Sequence, residues 1–168
     1  MLQNLSIRDF VIVDRLDLEF ERGFTVLTGE TGAGKSILVD ALSLALGARG
    51  EGGVTRAGCD KAEISATFNI SALPDLRTWL DEQAFPEEDH QLLLRRVIHA
   101  DGRSRAFING APATVQQLRE AGDFLIDIYS QHAHHSLLKQ TYQRQVLDAY
   151  AGLQELALEV GRQYRIWH

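Results

Sequence analysis

Gly29-Glu-Thr-Gly-Ala-Gly-Lys-Ser36 is the stretch on which the reading of this chain turns. It meets the pattern G-x-x-x-x-G-K-[ST] at every fixed position. Gly29, Gly32 and Gly34 let the backbone curl so that successive N–H groups converge on phosphate oxygens. A helix opening directly after them points its positive end at the same charge. Lys35 supplies a cation for the β- and γ-phosphates, and Ser36 a hydroxyl for Mg²⁺, which prefers hard oxygen ligands. The flanks agree with this chemistry. Phe24 to Thr28 is a short β-rich run, and between Gly34 and Gly47 the residues Ile37, Leu38, Ala41, Leu42 and Ala45 share one helical face. Strand, glycine loop and helix together predict a nucleoside triphosphate site, ATP or GTP with Mg²⁺. A glycine-rich turn with a surface lysine is the plainer alternative.

Working outward, Leu2, Leu5 and Ile7 begin a period-2 pattern that Leu16, Leu18 and Phe20 repeat after a polar break, which predicts an antiparallel pair of strands. Residues 47 to 60 hold five glycines and little periodicity, as a loop would. Ala62 to Ile70 and Gln91 to His99 read as strands flanking a helix near Leu73 to Gln83. Arg105 to Ile108 is a further strand, and Asn109-Gly110 is a hairpin-turn dipeptide. A helix from Thr114 to Glu120 and a buried strand at Phe124 to Tyr129 follow, and from Ser136 onward the chain reads as nearly unbroken helix. In that tail Val146, Tyr150, Leu153, Ala157, Val160, Tyr164 and Trp167 recur at spacings of four and three, the a/d register of a coiled coil.

The composition sets limits. A chain of 168 residues with 45% apolar content is about one domain, and a net charge of −6 provides no global basic field for nucleic acid. The single cysteine, Cys59, rules out an internal disulfide and a thiol zinc framework, and a reducing cytoplasm is the expected setting. Cys59 itself reads as a small spacer. No secretory signal and no membrane span is visible. His132, His134 and His135 lack the i, i+4 spacing of a helical metal site. Lys61, Arg95, Arg96, Arg103 and Arg105 would form a modest basic strip if the strands pair, although Arg95 and Arg96 must face opposite ways.

Several stretches carry a family resemblance: Met1-Leu2 through Phe10, Asp14 to Phe20, Leu27 through Ile37, Asp40-Ala-Leu42, Val54-Thr-Arg56-Ala-Gly58, Gly102 through Gly110, and Asp127-Ile-Tyr-Ser-Gln131-His132. Together they resemble RecN, the bacterial family of SMC-like DNA-repair ATPases. The resemblance implies an α/β P-loop head of ABC/SMC type. Residues 1–135 would be its lobe I, a mixed sheet with an antiparallel N-terminal portion, and residues 136–168 a helix leading into a coiled-coil arm. It implies nucleotide contacts from Gly29, Glu30, Thr31, Gly32, Ala33, Gly34, Lys35, Ser36, Ile37 and Arg56, catalytic roles for Lys35 and Gln131, and Mg²⁺ on Ser36 and Gln131. The implied partners are the protein's own C-terminal lobe bringing the signature and Walker B motifs, a second head in an ATP-bound homodimer, and DNA in a cytoplasmic, nucleoid-associated setting. No Leu-Ser-Gly-Gly-type stretch and no apolar strand ending in paired acids occurs in these residues. An ABC-transporter subunit, a self-contained P-loop kinase and a non-catalytic dimerisation module are the rival readings.

Overall fold

The alternation at the N-terminus builds β1 (Leu2–Phe10) and β2 (Val13–Glu19), which pair antiparallel with Leu5 opposite Leu18 and Ile7 opposite Leu16. The structure is a computed structural model describing residues 1–28, 34–50, 53–87, 89–126, 128 and 140–167, except the side chains of Thr141, Tyr142 and Gln145. Two units divide the chain, Met1–Asp127 and Ile128–His168. In β1, Asp9 takes φ +50, and the pairing passes from Arg8–Arg15 to Phe10–Val13. The left-handed Asp9 interrupts the alternation without shifting the register, so Phe10 and not residue 9 enters the core.

The first unit continues with α1 (Lys35–Ala45), β3 (Lys61–Asn69), α2 (Pro74–Glu82), β4 (Gln91–His99), β5 (Ser104–Ile108), β6 (Ala111–Ala113) and α3 (Val115–Leu125). The strands form one six-stranded sheet in the order β2-β1-β3-β4-β5-β6, and every described pairing is antiparallel. The turn residues Asn109 and Gly110 have φ +48 and +81, the conformation a two-residue hairpin between β5 and β6 needs.

Register brings Leu5, Ala66, Leu94 and Ile108 into one buried row across four strands. The next row runs Ile7, Ile64, Arg96, Ala106, so an arginine stands in an otherwise apolar row. On this face α1 buries Ala41, Leu44 and Ala45, and α3 buries Leu118 and Ala121. Burying each such Leu or Ile is worth roughly 1.5–3 kcal/mol, which makes this row the main glue between helices and sheet. The start of α3 is set by a capping box, in which Thr114 accepts from the Gln117 N–H while the Gln117 side chain accepts from the Thr114 N–H.

Three expectations need correction. Phe24 to Thr28 forms no strand, and Phe24, Val26 and Leu27 are exposed, because among the described residues no neighbouring strand offers them a hydrogen-bonding edge. Phe124 and Leu125 belong to the last turn of α3 and not to a strand. The terminal helix is two helices, α4 (Gln140–Tyr150) and α5 (Gln154–Trp167). Between them Gly152 takes φ +66, its N–H donates to the Ala149 carbonyl, and the Leu153 N–H donates to the Asp148 carbonyl. That is a Schellman closure, which ends a helix. The expected a/d seam is therefore divided, with Val146 and Tyr150 on α4 and Ala157, Val160, Tyr164 and Trp167 on α5. No helix among the described residues is long and apolar enough to cross a membrane.

Candidate nucleotide site

Gly29, Glu30, Thr31, Gly32 and Ala33 lie outside the described residues, as do Gln131 and the histidines His132, His134 and His135. What is described is the hinge where the loop becomes a helix. Gly34 is the N-cap of α1 at φ +94, a left-handed conformation that costs any residue with a Cβ about 1–2 kcal/mol. Among the described residues no side chain caps this helix start, and its first turn contains no acidic residue. The first-turn N–H groups and the positive helix end meet no carboxylate among the described residues that would compete with an incoming phosphate. Lys35 opens the helix, the Ser36 residue is exposed, and Ile37 is half-buried.

The far end of α1 is fixed by Arg96. Its side chain is 4% exposed, Nη1 donates to the carbonyls of Leu44 and Ala48 at 3.4 Å each, and Nε donates to Ser104 Oγ at 2.9 Å. A cation at a helix C-terminus offsets the dipole and satisfies carbonyls left without intrahelical partners. Burial presses the Arg96 pKa below the usual guanidinium range, although an arginine stays charged at any physiological pH. The helix that carries Lys35 and Ser36 is thus tethered to β4 and β5 at its other end. Sequence reasoning placed Arg96 in a surface strip and missed this role. The available signal was its inward register within Leu92, Leu94, Arg96 and Ile98.

Arg56 sits elsewhere. Its backbone N–H donates to the Asp9 carbonyl at 2.8 Å, and Nη1 lies 3.5 Å from Asp14 Oδ1, so it rests against the β1–β2 hairpin. Beside it the Cys59 thiol donates to Asp9 Oδ1 at 3.2 Å. That hydrogen bond, with partial burial and the Asp9 charge, pushes the thiol up from its ordinary value. The basic strip forms only in part. Lys61 and Arg95 share Glu63 at 3.6 and 2.8 Å, Arg95 also lies 5.3 Å from the Phe107 ring, and Arg103 pairs with Asp101. Among the described residues no cluster of His, Cys, Asp and Glu is arranged to hold a metal ion.

Residues 4–74 match the family described as an AAA domain. DNA repair protein RecN of Vibrio cholerae is 46% identical over 167 residues, covering 99% of this chain and 30% of that protein. RecN of Bacillus subtilis is 42% identical over 152 residues, covering 90% of this chain and 26% of that protein. In sequence the chain corresponds to a segment of RecN. It spans under a third of the length of these RecN relatives. In fold it is similar to the Smc head domain with a coiled coil and joint from Pyrococcus yayanosii, with a TM-score of 0.65 at 23% identity over 96% of this chain and 35% of that one. An SMC ATPase chain studied for ATP-driven dimerization and DNA-stimulated activation gives a TM-score of 0.61 at 23% identity, covering 88% of this chain and 97% of that one. The expected P-loop ATPase head fold of SMC type is therefore the fold this RecN segment has.

Proposed function

We propose that this chain is the ATP-binding lobe I of an SMC-like ATPase head that acts in DNA double-strand-break and recombination repair. The observation that carries the proposal is the start of α1. A complete phosphate-loop sequence runs into a left-handed Gly34 N-cap, and the helix beyond it has no acidic residue in its first turn and no capping side chain among the described residues. In this reading the backbone of residues 29–34 cradles the phosphates, Lys35 neutralises the β/γ oxygens, and Ile37 sits behind the loop. Ser36 and Gln131 would hold the Mg²⁺ that neutralises charge on the phosphates when ATP is bound. Arg56 contributes from the loop after α1, where it rests against the β1–β2 hairpin.

The lobe is half of a head. The general base and the signature motif come from a C-terminal lobe, a second head closes over the nucleotide, and DNA is engaged by the assembled protein. Residues 1–135 form lobe I, and residues 136–168 lead into a coiled-coil arm. The bare apolar run Phe24, Val26 and Leu27 supports a missing half, because a β-rich segment exposed beside a phosphate loop gains its hydrogen bonds only from a strand added next to it.

Calorimetry of Mg·ATP binding tests the proposal, with circular dichroism as a folding control. The chain should bind Mg·ATP, Lys35→Ala should abolish binding without unfolding the protein, and turnover by the chain alone should stay near background until the C-terminal lobe is joined to it. Unchanged affinity in a folded Lys35→Ala variant sinks the site assignment. Brisk hydrolysis by the purified chain would favour a self-contained NTPase.

A further inference from the structure

At the opposite end of α1 from the phosphate loop lies a cavity of about 720 Å³, walled by the loop after α1, the β4–β5 hairpin and α3. Arg96 forms part of its inner wall, Arg49 and Arg119 are exposed along it, and Ser104 adds a hydroxyl. We propose that this cavity is a second phosphate-recognition site, separate from the P-loop, which takes the phosphate of a nucleotide or of a nucleic-acid strand.

The buried guanidinium is the starting point. Among the described residues no carboxylate pairs with Arg96, and its three hydrogen bonds all come from Nε and Nη1. An uncompensated buried charge carries a desolvation cost of several kcal/mol, and the negative end of α1 offsets only part of it. A bound anion supplies the rest. The wall also contains Asp123 and Glu120, the latter accepting a hydrogen bond from Gln116 at 3.0 Å. Among the described lining residues three guanidiniums stand against two carboxylates, in a chain whose net charge is −6. Guanidinium forks at several positions and a hydroxyl suit a tetrahedral group with three acceptor oxygens better than a planar carboxylate, which one fork satisfies. The volume falls within the range of small-ligand sites and would admit a whole nucleotide. Because Arg96 also holds Leu44 and Ala48, an anion drawn against it would bear on the helix that starts at Lys35.

The test uses the Lys35→Ala chain, so that the P-loop cannot account for phosphate binding and failure here leaves the ATP reading intact. Inorganic pyrophosphate, AMP and a short oligothymidylate are titrated separately while the amide resonances of Gly102, Ser104 and Arg119 are followed. Saturable shifts are expected, weakened about tenfold by Arg119→Gln and by Arg49→Gln, both exposed positions where folding is safe. Arg8→Gln, an equal charge loss on an exposed β1 residue outside the cavity, should change little. Tighter binding of the oligothymidylate than of AMP identifies nucleic acid as the source of the phosphate, and the reverse order identifies a free nucleotide. Absence of saturable shifts, or equal weakening by Arg119→Gln and Arg8→Gln, overturns the proposal.

Discussion

Replacing Gly47 with alanine should be among the most damaging single-methyl changes in the first unit. Gly47 follows α1 at φ +86, and an added Cβ would stand 2.5 Å from the Arg119 nitrogen, 2.7 Å from the Val115 carbonyl oxygen and 2.9 Å from the Arg119 Cα. All three are backbone atoms of α3, so no side chain can swing aside. The left-handed conformation alone costs alanine about 1–2 kcal/mol, and overpacking adds typically 1–3 kcal/mol. Gly58 separates the two contributions, because it has φ +85 and nothing within 4 Å of an added Cβ. Gly58→Ala should therefore show the backbone cost alone, and Gly47→Ala should exceed it by about 1–3 kcal/mol. Urea denaturation in a Trp167→Phe background, where Trp79 stacked on Phe85 at 6.1 Å reports on the first unit, gives both values. If the variants differ by less than about 0.5 kcal/mol, the close approach of α1 to α3 is not a constraint and the argument fails.

Three further outcomes follow from the same geometry. Cys59 should react with thiol reagents more slowly than an unperturbed cysteine near pH 8, since the Asp9 hydrogen bond raises its pKa, and Asp9→Asn should speed the reaction; equal rates in the two proteins would remove Asp9 as the cause. Burial would raise the pKa of Glu87, but hydrogen bonds from His90 and Arg77 outweigh it and hold the carboxyl below its usual range. Its stabilisation is therefore complete above the unfolded glutamate value and lost as pH falls through the lower folded one. Glu87→Gln should cost about 1 kcal/mol at neutral pH, with the gap from the parent closing as pH drops below roughly 4.3. A gap that persists undiminished in acid would contradict this. Trp167, 77% exposed, should be readily quenched by iodide in a Trp79→Phe variant, and a protected, blue-shifted signal would refute that exposure.

The sequence disclosed whatever its local pattern could determine. β4 occupies Gln91–His99 as read, and β1, β3 and β5 fall where strict alternation and turn residues such as Asn109-Gly110 bound them. The end of α3 was misread because Phe124 onward is a short apolar run, which periodicity alone cannot divide between helix and strand. Gly152 announced the break between α4 and α5, but a glycine inside a helical pattern is also compatible with a weakened continuous helix. Only the hydrogen bonds from Gly152 and Leu153 decide between them.

Two features lay beyond any local reading, and both depend on what sits next to them in space. Phe24 to Thr28 has the composition of a strand, yet a strand exists only when another edge accepts its hydrogen bonds, and no described segment does so. Arg96 has the opposite history. Alternation aims it inward, where an arginine costs free energy, so a sequence reader moves it to the surface. What reverses the balance is the carboxyl end of α1 and the turn after it, about fifty residues earlier in the chain, where the Leu44 and Ala48 carbonyls accept from the Arg96 guanidinium. A charged residue at an inward strand position is therefore best read as a question about which helix ends above it. Here that helix is the one that begins at the phosphate loop, so the buried arginine and Lys35 belong to one mechanical unit. A strand residue expected in a basic strip anchors from behind the helix that carries Lys35 and Ser36.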